Sequence, residues 1–154
     1  SAVDNMGYAI PAAVARRVAQ NMIAAYEETG QEAHYISRAV LGITVQASDS
    51  TAVVDNDTNL VSVEELITVR SVNPDSVARG TLEEGDMLVG ISLTSADGKV
   101  KEDVEITRLY TVTDVLLAAV SGDSVTLTVN RAGEDEPLTF TYTLTSSNFT
   151  ITTD

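Results

Sequence analysis

The sequence predicts an α+β domain in which short strands outnumber helices. Three observations indicate this class: apolar residues recur every four positions near the start, the period then changes to two, and one later apolar segment again has helical spacing. The 154 residues, 44% of them hydrophobic, suffice for one well-filled core. We therefore expect a five- to six-stranded, partly open barrel with one main and one short helix, preceded by an N-terminal amphipathic helix.

The N-terminal helix is predicted over roughly 11–28. Pro11 suits the first helical turn, where its missing N–H costs nothing, and Gly30 is a natural stop. Arg16 and Arg17 fall outside the apolar stripe, which consists of Val14, Val18, Met22 and Tyr26. Such a stripe must be covered, so the helix either docks on the domain that follows or has lost an original partner.

The second part of the chain alternates as half-buried strands do. Strand candidates rich in β-branched residues are Leu41–Gln46, Leu66–Val72, Met87–Leu93, Val125–Asn130 and Leu138–Leu144. The polar turn 131–137 joins the last two into a hairpin. An apolar helix is predicted near Val112–Val120, with Gly122 as its stop.

Two polar stretches, Ala47–Asn59 and Thr94–Glu105, are expected to be acidic surface loops. The first lacks the alternating oxygen ligands and central glycine of a calcium loop, so we expect neither a metal nor a cofactor. The Thr/Ser-rich end, Thr145–Asp154, is either an extra edge strand or a frayed tail.

Composition argues against several classes of function. The net charge of −14 disfavours nucleic acid and anionic membranes, because both require Lys and Arg to displace counterions. No apolar run approaches the roughly 18 residues of a membrane span, and no signal peptide is visible. The absence of cysteine excludes disulfides and thiolate zinc sites.

Two linked motifs carry a family resemblance. The segment Asn73-Pro74-x-Ser76-x-Ala78 is followed by Leu82-x-x-Gly85-Asp86-x-Leu88, and Leu41-Gly42-Ile43 lies about thirty residues before them. This order resembles PDZ domains of the bacterial type, which grip the free carboxyl end of a peptide. The Pro-led turn and the Gly-Asp turn are expected to be scaffold, with a small helix after Pro74.

The resemblance implies a carboxylate site at Leu41, Gly42 and Ile43. Successive backbone N–H groups in a tight loop can hold an anion without a cationic side chain, and a glycine allows the close approach. The following strand would pair with an extended ligand, whose main-chain bonds give affinity with little sequence preference. The expected groove residues are Val40, Thr44, Val45, Leu116 and Val120.

The helix near Val112–Val120 would form the far wall of the groove. Its apolar residues lie on two faces, Val112/Val115/Ala119 and Leu116/Leu117/Val120. Two apolar faces suit a helix that packs on a core and also borders an apolar groove, but a helix simply buried on both sides has the same pattern.

The start of the chain extends the resemblance. Asn5–Pro11, followed by an Ala-rich helix, is similar to the end of the protease domain in HtrA/DegP-type serine proteases. This implies the order 1–30 protease end, 31–37 linker, 38–145 PDZ domain and 146–154 tail. It also implies an extracytoplasmic protein of the cell envelope, a trimeric or larger parent with a serine protease domain that this chain lacks, and a fragment that is monomeric by itself.

Three readings of function follow. The first is peptide capture, which would recruit substrate to the protease or regulate it. The second is a structural spacer or docking domain whose groove is blocked by the long 46–60 loop; the family often has Gly and an aromatic residue where this chain has Ala39 and Val40. The third, an enzyme in its own right, is disfavoured because His34 is the only histidine and a Ser-His-Asp site needs one.

Overall fold

The computed structural model describes residues 12–29 and 35–153. The predicted protease-like segment Asn5–Pro11, the helix stop at Gly30 and His34 lie outside the described residues. No helix in the described part of the chain combines the length and apolarity that a bilayer crossing requires.

The described residues form an α+β fold, as predicted. Its helices are α1 (Ala12–Thr29) and α2 (Leu109–Leu116), with a single 3₁₀ turn at Ser146–Asn148. Its strands are β1 (Tyr35–Ala39), β2 (Ile43–Val54), β3 (Val61–Val72), β4 (Met87–Thr94), β5 (Val100–Glu105), β6 (Ser124–Asn130), β7 (Leu138–Thr143) and β8 (Phe149–Thr153).

The main sheet is antiparallel and open. Its strand order is β2-β3-β4-β6-β7, and β5 pairs with the same edge of β4 as β3 does, farther along the strand. The expected hairpin of the last two strands is confirmed by the β6–β7 pairing. Strands β1 and β8 form a separate two-stranded sheet. The β2 and β7 edges do not meet among the described residues, so the sheet does not close into a barrel.

The prediction of a loop over Ala47–Asn59 is wrong for most of its length. Strand β2 continues to Val54 and pairs residue by residue with β3, down to the Val54–Val61 pair. Only residues 55–60 form the connecting turn. Burial does not explain this extension, because most of these residues are exposed; the ladder of backbone hydrogen bonds holds it.

Other boundaries also differ from prediction. The stretch Thr94–Glu105 contains β5 rather than only a loop, because β5 fills the edge of β4 that β3 leaves free. The small helix expected after Pro74 is instead a chain of tight turns, with hydrogen bonds from Ser76 N to Asn73 O and from Arg79 N to Ser76 O. The C-terminal stretch forms the edge strand β8, one of its two expected outcomes.

Helix α2 begins and ends before the predicted bounds Val112–Val120. It starts at Leu109, where the backbone N–H donates to the Glu65 carboxylate at 2.7 Å. After Leu116 the chain tightens into single turns, with Ala118 N bonded to Val115 O and Ala119 N bonded to Leu116 O. These shorter bonds end the regular helix before Gly122 is reached.

The core lies between α2 and the inner face of the main sheet. Its fully buried large residues come mostly from β3, β4 and β6 and include Ile67, Val69, Leu88, Ile91, Leu93, Val125, Leu127 and Val129. Because these strands alternate buried and half-exposed positions, each contributes every second side chain to the core.

A buried ion pair supports the turn that leads into β4. Asp86 is 1% exposed and receives two hydrogen bonds of 2.7 Å from Arg131, as well as one from Glu83 N–H at 2.9 Å. Burial alone would raise the pKa of Asp86, but the hydrogen bonds from Arg131 and Glu83 outweigh it and lower that pKa. The expected scaffold role of the Gly85-Asp86 turn therefore has a specific partner, Arg131.

Helix α1 docks through a face that includes only the first half of its predicted apolar stripe, Val14 and Val18, which are half-buried. Asn21 is buried, whereas Met22 and Tyr26 are 40% and 53% exposed. Arg17, expected to point away, is mostly covered, because its guanidinium lies 3.2 Å from the Glu102 carboxylate and 3.8 Å from that of Asp114.

Candidate functional site

The loop Leu41–Ile43 enters β2 through a left-handed residue. Gly42 has φ of +69°, a conformation that residues with a Cβ rarely adopt. An ideal Cβ added to Gly42 would lie 2.3 Å from the Cβ of Ser76 and 3.1 Å from its Cα. Gly42 is therefore required twice, by its backbone angle and by the close approach of the Pro74 turn.

Some backbone N–H and C=O groups of this loop are hydrogen-bonded within the described part of the domain, and others are not. Val40 N–H donates to Asn148 O at 2.7 Å, and Gly42 O accepts from Asn73 N–H at 2.8 Å. No backbone carbonyl within residues 12–29 and 35–153 accepts a hydrogen bond from the N–H of Leu41 or Gly42. The loop thus has two consecutive N–H groups without a backbone acceptor among the described residues, at the head of β2. Consecutive donors of this kind favour an anion.

Strand β2 offers an unpaired edge beside these donors. It pairs with β3 on one side, and no described strand pairs with its other side. Along its first residues, Ile43 and Val45 are half-buried and pack against the core, whereas Thr44 and Gln46 are exposed. An extended chain laid along this edge could therefore form main-chain hydrogen bonds from the two donors outward.

Helix α2 contacts β2 and also packs on β4. The predicted core face, Val112, Val115 and Ala119, is buried. The predicted groove face divides: Leu116 and Leu117 are each 6% exposed, and Val120 is half-buried.

Of the expected carboxylate-site side chains, Leu41 is 3% exposed and Ile43 is half-buried. Among the remaining groove residues, Val40 is half-buried, Thr44 is exposed, and Val45 packs against the core. The residues expected to contact the last side chain of a peptide are therefore mostly packed against other residues of the domain.

Two polar side chains anchor the chain at the end of α2, and sequence reasoning did not identify either. Asp123, 1% exposed, accepts from Val120 N–H at 2.9 Å and pairs with Lys101 Nζ at 2.6 Å. Asn21 of α1 donates to Leu117 O at 3.0 Å and to Ser37 O at 2.7 Å, and accepts from Ser37 N–H at 3.1 Å. These contacts tie α1, β1 and the end of α2 together.

A signal for Asn21 was present in the sequence. Asn21 follows Val18 by three positions and therefore shares the helix face of Val14 and Val18. A lone amide on an apolar face implies a buried hydrogen-bond partner. The partners could not be named, because Ser37 and Leu117 come from distant segments.

The sequence predicted only a scaffold role for Ser76. Its Oγ is fully buried and has no hydrogen-bond partner among the described residues. It lies about 3.5 Å from the position that a Cβ on Gly42 would occupy. The Ser76 hydroxyl therefore lies directly behind the loop Leu41–Ile43.

The described residues hold no group of three or more His, Cys, Asp or Glu arranged to bind a metal. Comparison with known proteins identifies no relative: no family model matches the chain, and neither does any curated protein.

Proposed function

We propose that this chain is a PDZ-type peptide-binding domain that captures the free C-terminus of a peptide or unfolded protein. The observation that carries the proposal is the pair of N–H groups at Leu41 and Gly42, which have no backbone acceptor among the described residues and lie at the head of a strand edge that no described strand covers. A terminal carboxylate would accept from these donors, and the last residues of the ligand would pair with β2.

The net charge of the chain gives a carboxylate ligand no long-range attraction. A net charge of −14 repels a free carboxylate at long range, so the loop donors must act at close range and the ligand must contribute apolar contacts. The half-buried side chains of Ile43, Val45 and Val120 would supply those contacts.

The same proposal covers the role of the parent protein. The Asn5–Pro11 motif resembles the end of an HtrA-like protease domain, and on this proposal the chain would be the C-terminal part of an envelope-associated serine protease. The domain would then recruit substrate to the protease or regulate it, without itself catalysing a reaction. The parent would be trimeric or larger, and this fragment monomeric.

A spacer or docking domain with a blocked groove is the second candidate. The burial of Leu41 and Leu116 favours it, because side chains that are already packed inside the domain leave little room for a guest side chain. The long β2–β3 hairpin does not decide between the two candidates.

Titration with matched peptides tests the proposal. An apolar peptide with a free carboxylate and its amidated twin differ only in the group that the loop donors would bind. We expect the acid to bind at least tenfold more tightly, a difference of about 1.4 kcal/mol. Equal failure of both peptides would favour the spacer, and equal binding of both would remove the carboxylate from the mechanism.

A further inference from the structure

The outer half of the β2–β3 hairpin projects beyond the main sheet. We call the arm residues 49–66, which comprise the outer part of β2, the turn 55–60 and the first half of β3. Strand β4 pairs with β3 only at Ile67 and Thr68, so the arm is a two-stranded ribbon without a third strand. At the base of its β3 edge, Glu65 N–H donates to Thr107 O and Val63 O accepts from Arg108; its β2 edge has no described strand beside it. Two-stranded ribbons are marginally stable in water, and a further strand normally covers at least one of their edges.

The two faces of the arm differ in chemistry. The cross-strand pairs Ala52–Val63 and Val54–Val61 lie on one face. Val54, Val61 and Val63 are 52%, 67% and 40% exposed, so the outer end of this face is apolar and uncovered. The Ser50–Glu65 pair lies on the same face, at the base of the arm. The opposite face carries the Val53–Ser62 pair near the tip and both Thr51–Glu64 and Asp49–Leu66 toward the base, so its charge is concentrated at the base.

All the charge on the arm is negative. Residues 49–66 contain five acidic residues and no Lys, Arg or His; the acids are Asp49, Asp55, Asp57, Glu64 and Glu65. Natural proteins often protect a free strand edge with lysine, and the arm has none. Glu65 already has a cationic neighbour, because Arg108 Nε lies 3.7 Å from its carboxylate. The other four acids favour a basic occupant and disfavour a second copy of this acidic chain.

A pocket of about 270 Å³ lies on the acidic face at the base of the arm. Asp49 and Glu64 are among its walls, with Leu66, Met87 and Ile106 as apolar lining. A Lys or Arg side chain suits such a site, because its apolar stem can contact the aliphatic lining while its charged end reaches the carboxylates.

The arm continues the edge on which the proposed ligand would lie. A ligand whose carboxylate binds at Leu41–Ile43 must run antiparallel to β2, toward the arm. Strand β2 spans about 40 Å at 3.3 Å per residue, whereas the eight residues of α2 span about 12 Å. The segment that leads into α2 contacts β3 at Glu65, whose N–H donates to Thr107 O and whose carboxylate accepts from Leu109 N–H. Beyond this point of the hairpin, the arm alone continues the β2 edge on which the ligand would lie.

We propose that the arm is a second recognition surface for the same ligand, and that it selects alternating basic and apolar residues roughly six to eleven positions upstream of the carboxyl terminus. The basic side chains face Asp49 and Glu64, and the apolar ones extend the Val54–Val61 face. This inference rests on the proposed function and adds a ligand class to it: long, basic, extended C-terminal tails.

Calorimetric titration of the full chain with four peptides tests the inference. All share the same apolar C-terminal residues. One is short; one is extended to about twelve residues with alternating Lys and Val; one is extended with Glu in place of Lys; and one is the amide of the Lys peptide. We expect the extended Lys peptide to bind about tenfold more tightly than the short one, and the Glu peptide to lose that gain.

Two matched pairs of variants locate the gain. Glu64→Lys reverses a charge on the arm and Glu84→Lys reverses an exposed charge elsewhere, with the same change in net charge. Val61→Thr and Val100→Thr alter valines that are 67% and 66% exposed, on and off the arm. We expect only Glu64→Lys and Val61→Thr to reduce the gain, with unchanged circular dichroism in all four variants.

The remaining outcomes separate this inference from the proposed function. If the short acid binds and the extended Lys peptide binds no better, the inference is overturned and the proposed function stands. If no free acid binds, both fail. Equal binding of the Lys peptide and its amide would show that the arm binds basic peptides independently of the carboxylate site. That result would overturn the inference that both surfaces bind one ligand. Self-association that is lost in Val61→Thr would assign the arm to a second copy instead.

Discussion

The two halves of the β2–β3 hairpin have the same backbone structure but depend on different forces. In the inner half, β3 places Ile67 and Val69 in the core at 0% and 1% exposure. In the outer half no residue of the pairs from Thr51–Glu64 to Val54–Val61 is buried, and the ladder and its turn maintain the ribbon. Packing determines the position of the inner half, so we expect substitutions there to affect the whole domain and those on the arm to act locally.

The largest effect is expected from Asp86→Ala. Asp86 supports the inner half, because its backbone carbonyl accepts from Val69 N–H at 2.9 Å while its carboxylate holds Arg131. Removing one partner of a buried ion pair costs about 3–5 kcal/mol, and we expect about 3 because Arg131 remains one-fifth exposed. Urea unfolding measures the loss.

Acid tests the sign of this contribution. The pKa of folded Asp86 is lowered, so its stabilisation is present above the ordinary carboxyl pKa near 4 and is lost as the pH falls through the lower folded value. The stability gap between the parent chain and Asp86→Ala should therefore be widest at neutral pH and shrink below pH 4. Asp103→Ala, at an exposed strand position, is the control and should stay within about 0.5 kcal/mol of the parent. A gap that widened in acid would contradict this account.

The second effect, from Gly42→Ala, joins stability and binding. A non-glycine residue at φ of +69° costs about 1–3 kcal/mol, and the contact with Ser76 adds to this strain. Gly98→Ala is the matched control, because Gly98 has φ of +85° and nothing within 4 Å of an added Cβ. We expect Gly42→Ala to lower thermal stability more than Gly98→Ala, and to abolish binding of the free-acid peptide.

Removing the neighbour should restore part of the loss. Ser76→Gly takes away the Cβ that lies 2.3 Å from the added one, but leaves Cα at 3.1 Å and the backbone strain. The double variant Gly42→Ala/Ser76→Gly should therefore be more stable than the sum of its single changes implies. Strict additivity would show that the two residues do not contact each other as described.

A third and smaller effect is expected from Asn21→Ala. It leaves Ser37 N–H, Ser37 O and Leu117 O without their partner, which costs about 1–3 kcal/mol. Gln20→Ala, at an exposed position of the same helix, is the control. Because Asn21 contacts the end of α2, peptide affinity should fall together with stability; unchanged affinity would separate α1 from the groove.

The sequence predicted the inner half of the hairpin better than the arm, for a physical reason. Alternation of apolar and polar residues reports burial, and Leu41–Gln46 and Leu66–Val72 have one face against the core. The arm has no buried face, so its Asp, Asn and Thr residues give the sequence pattern of a loop. Backbone pairing leaves no such pattern in the side chains.

The sequence predicted where the candidate site lies, but not which of its backbone N–H groups lack an acceptor within the domain. The sequence identified Gly42 as the residue of close approach. Which N–H groups remain free depends on Asn148 and Asn73, which occupy the neighbouring Val40 N–H and Gly42 O. Those contacts join segments up to about a hundred residues apart, and no local pattern encodes them.

The smallest predicted effect lies at the tip of the arm. The pKa of Asp55 is lowered mainly by the Thr58 side chain and further by the hydrogen bonds that the Asp55 carboxylate accepts from Asp57 N–H and Thr58 N–H. The turn is therefore ordered above the ordinary carboxyl pKa near 4 and loosens as the pH falls through the lower folded value. Nuclear magnetic resonance should show a change in the chemical shift of the Thr58 amide at acidic pH before global unfolding, and Asp55→Asn should shift that amide already at neutral pH.

Because the arm makes no core contacts at its tip, the amide shifts of Ile67 and Val69 should remain unchanged over the same pH range. If they moved together with Thr58, the two halves of the hairpin would form one cooperative unit rather than a packed base and a locally ordered arm.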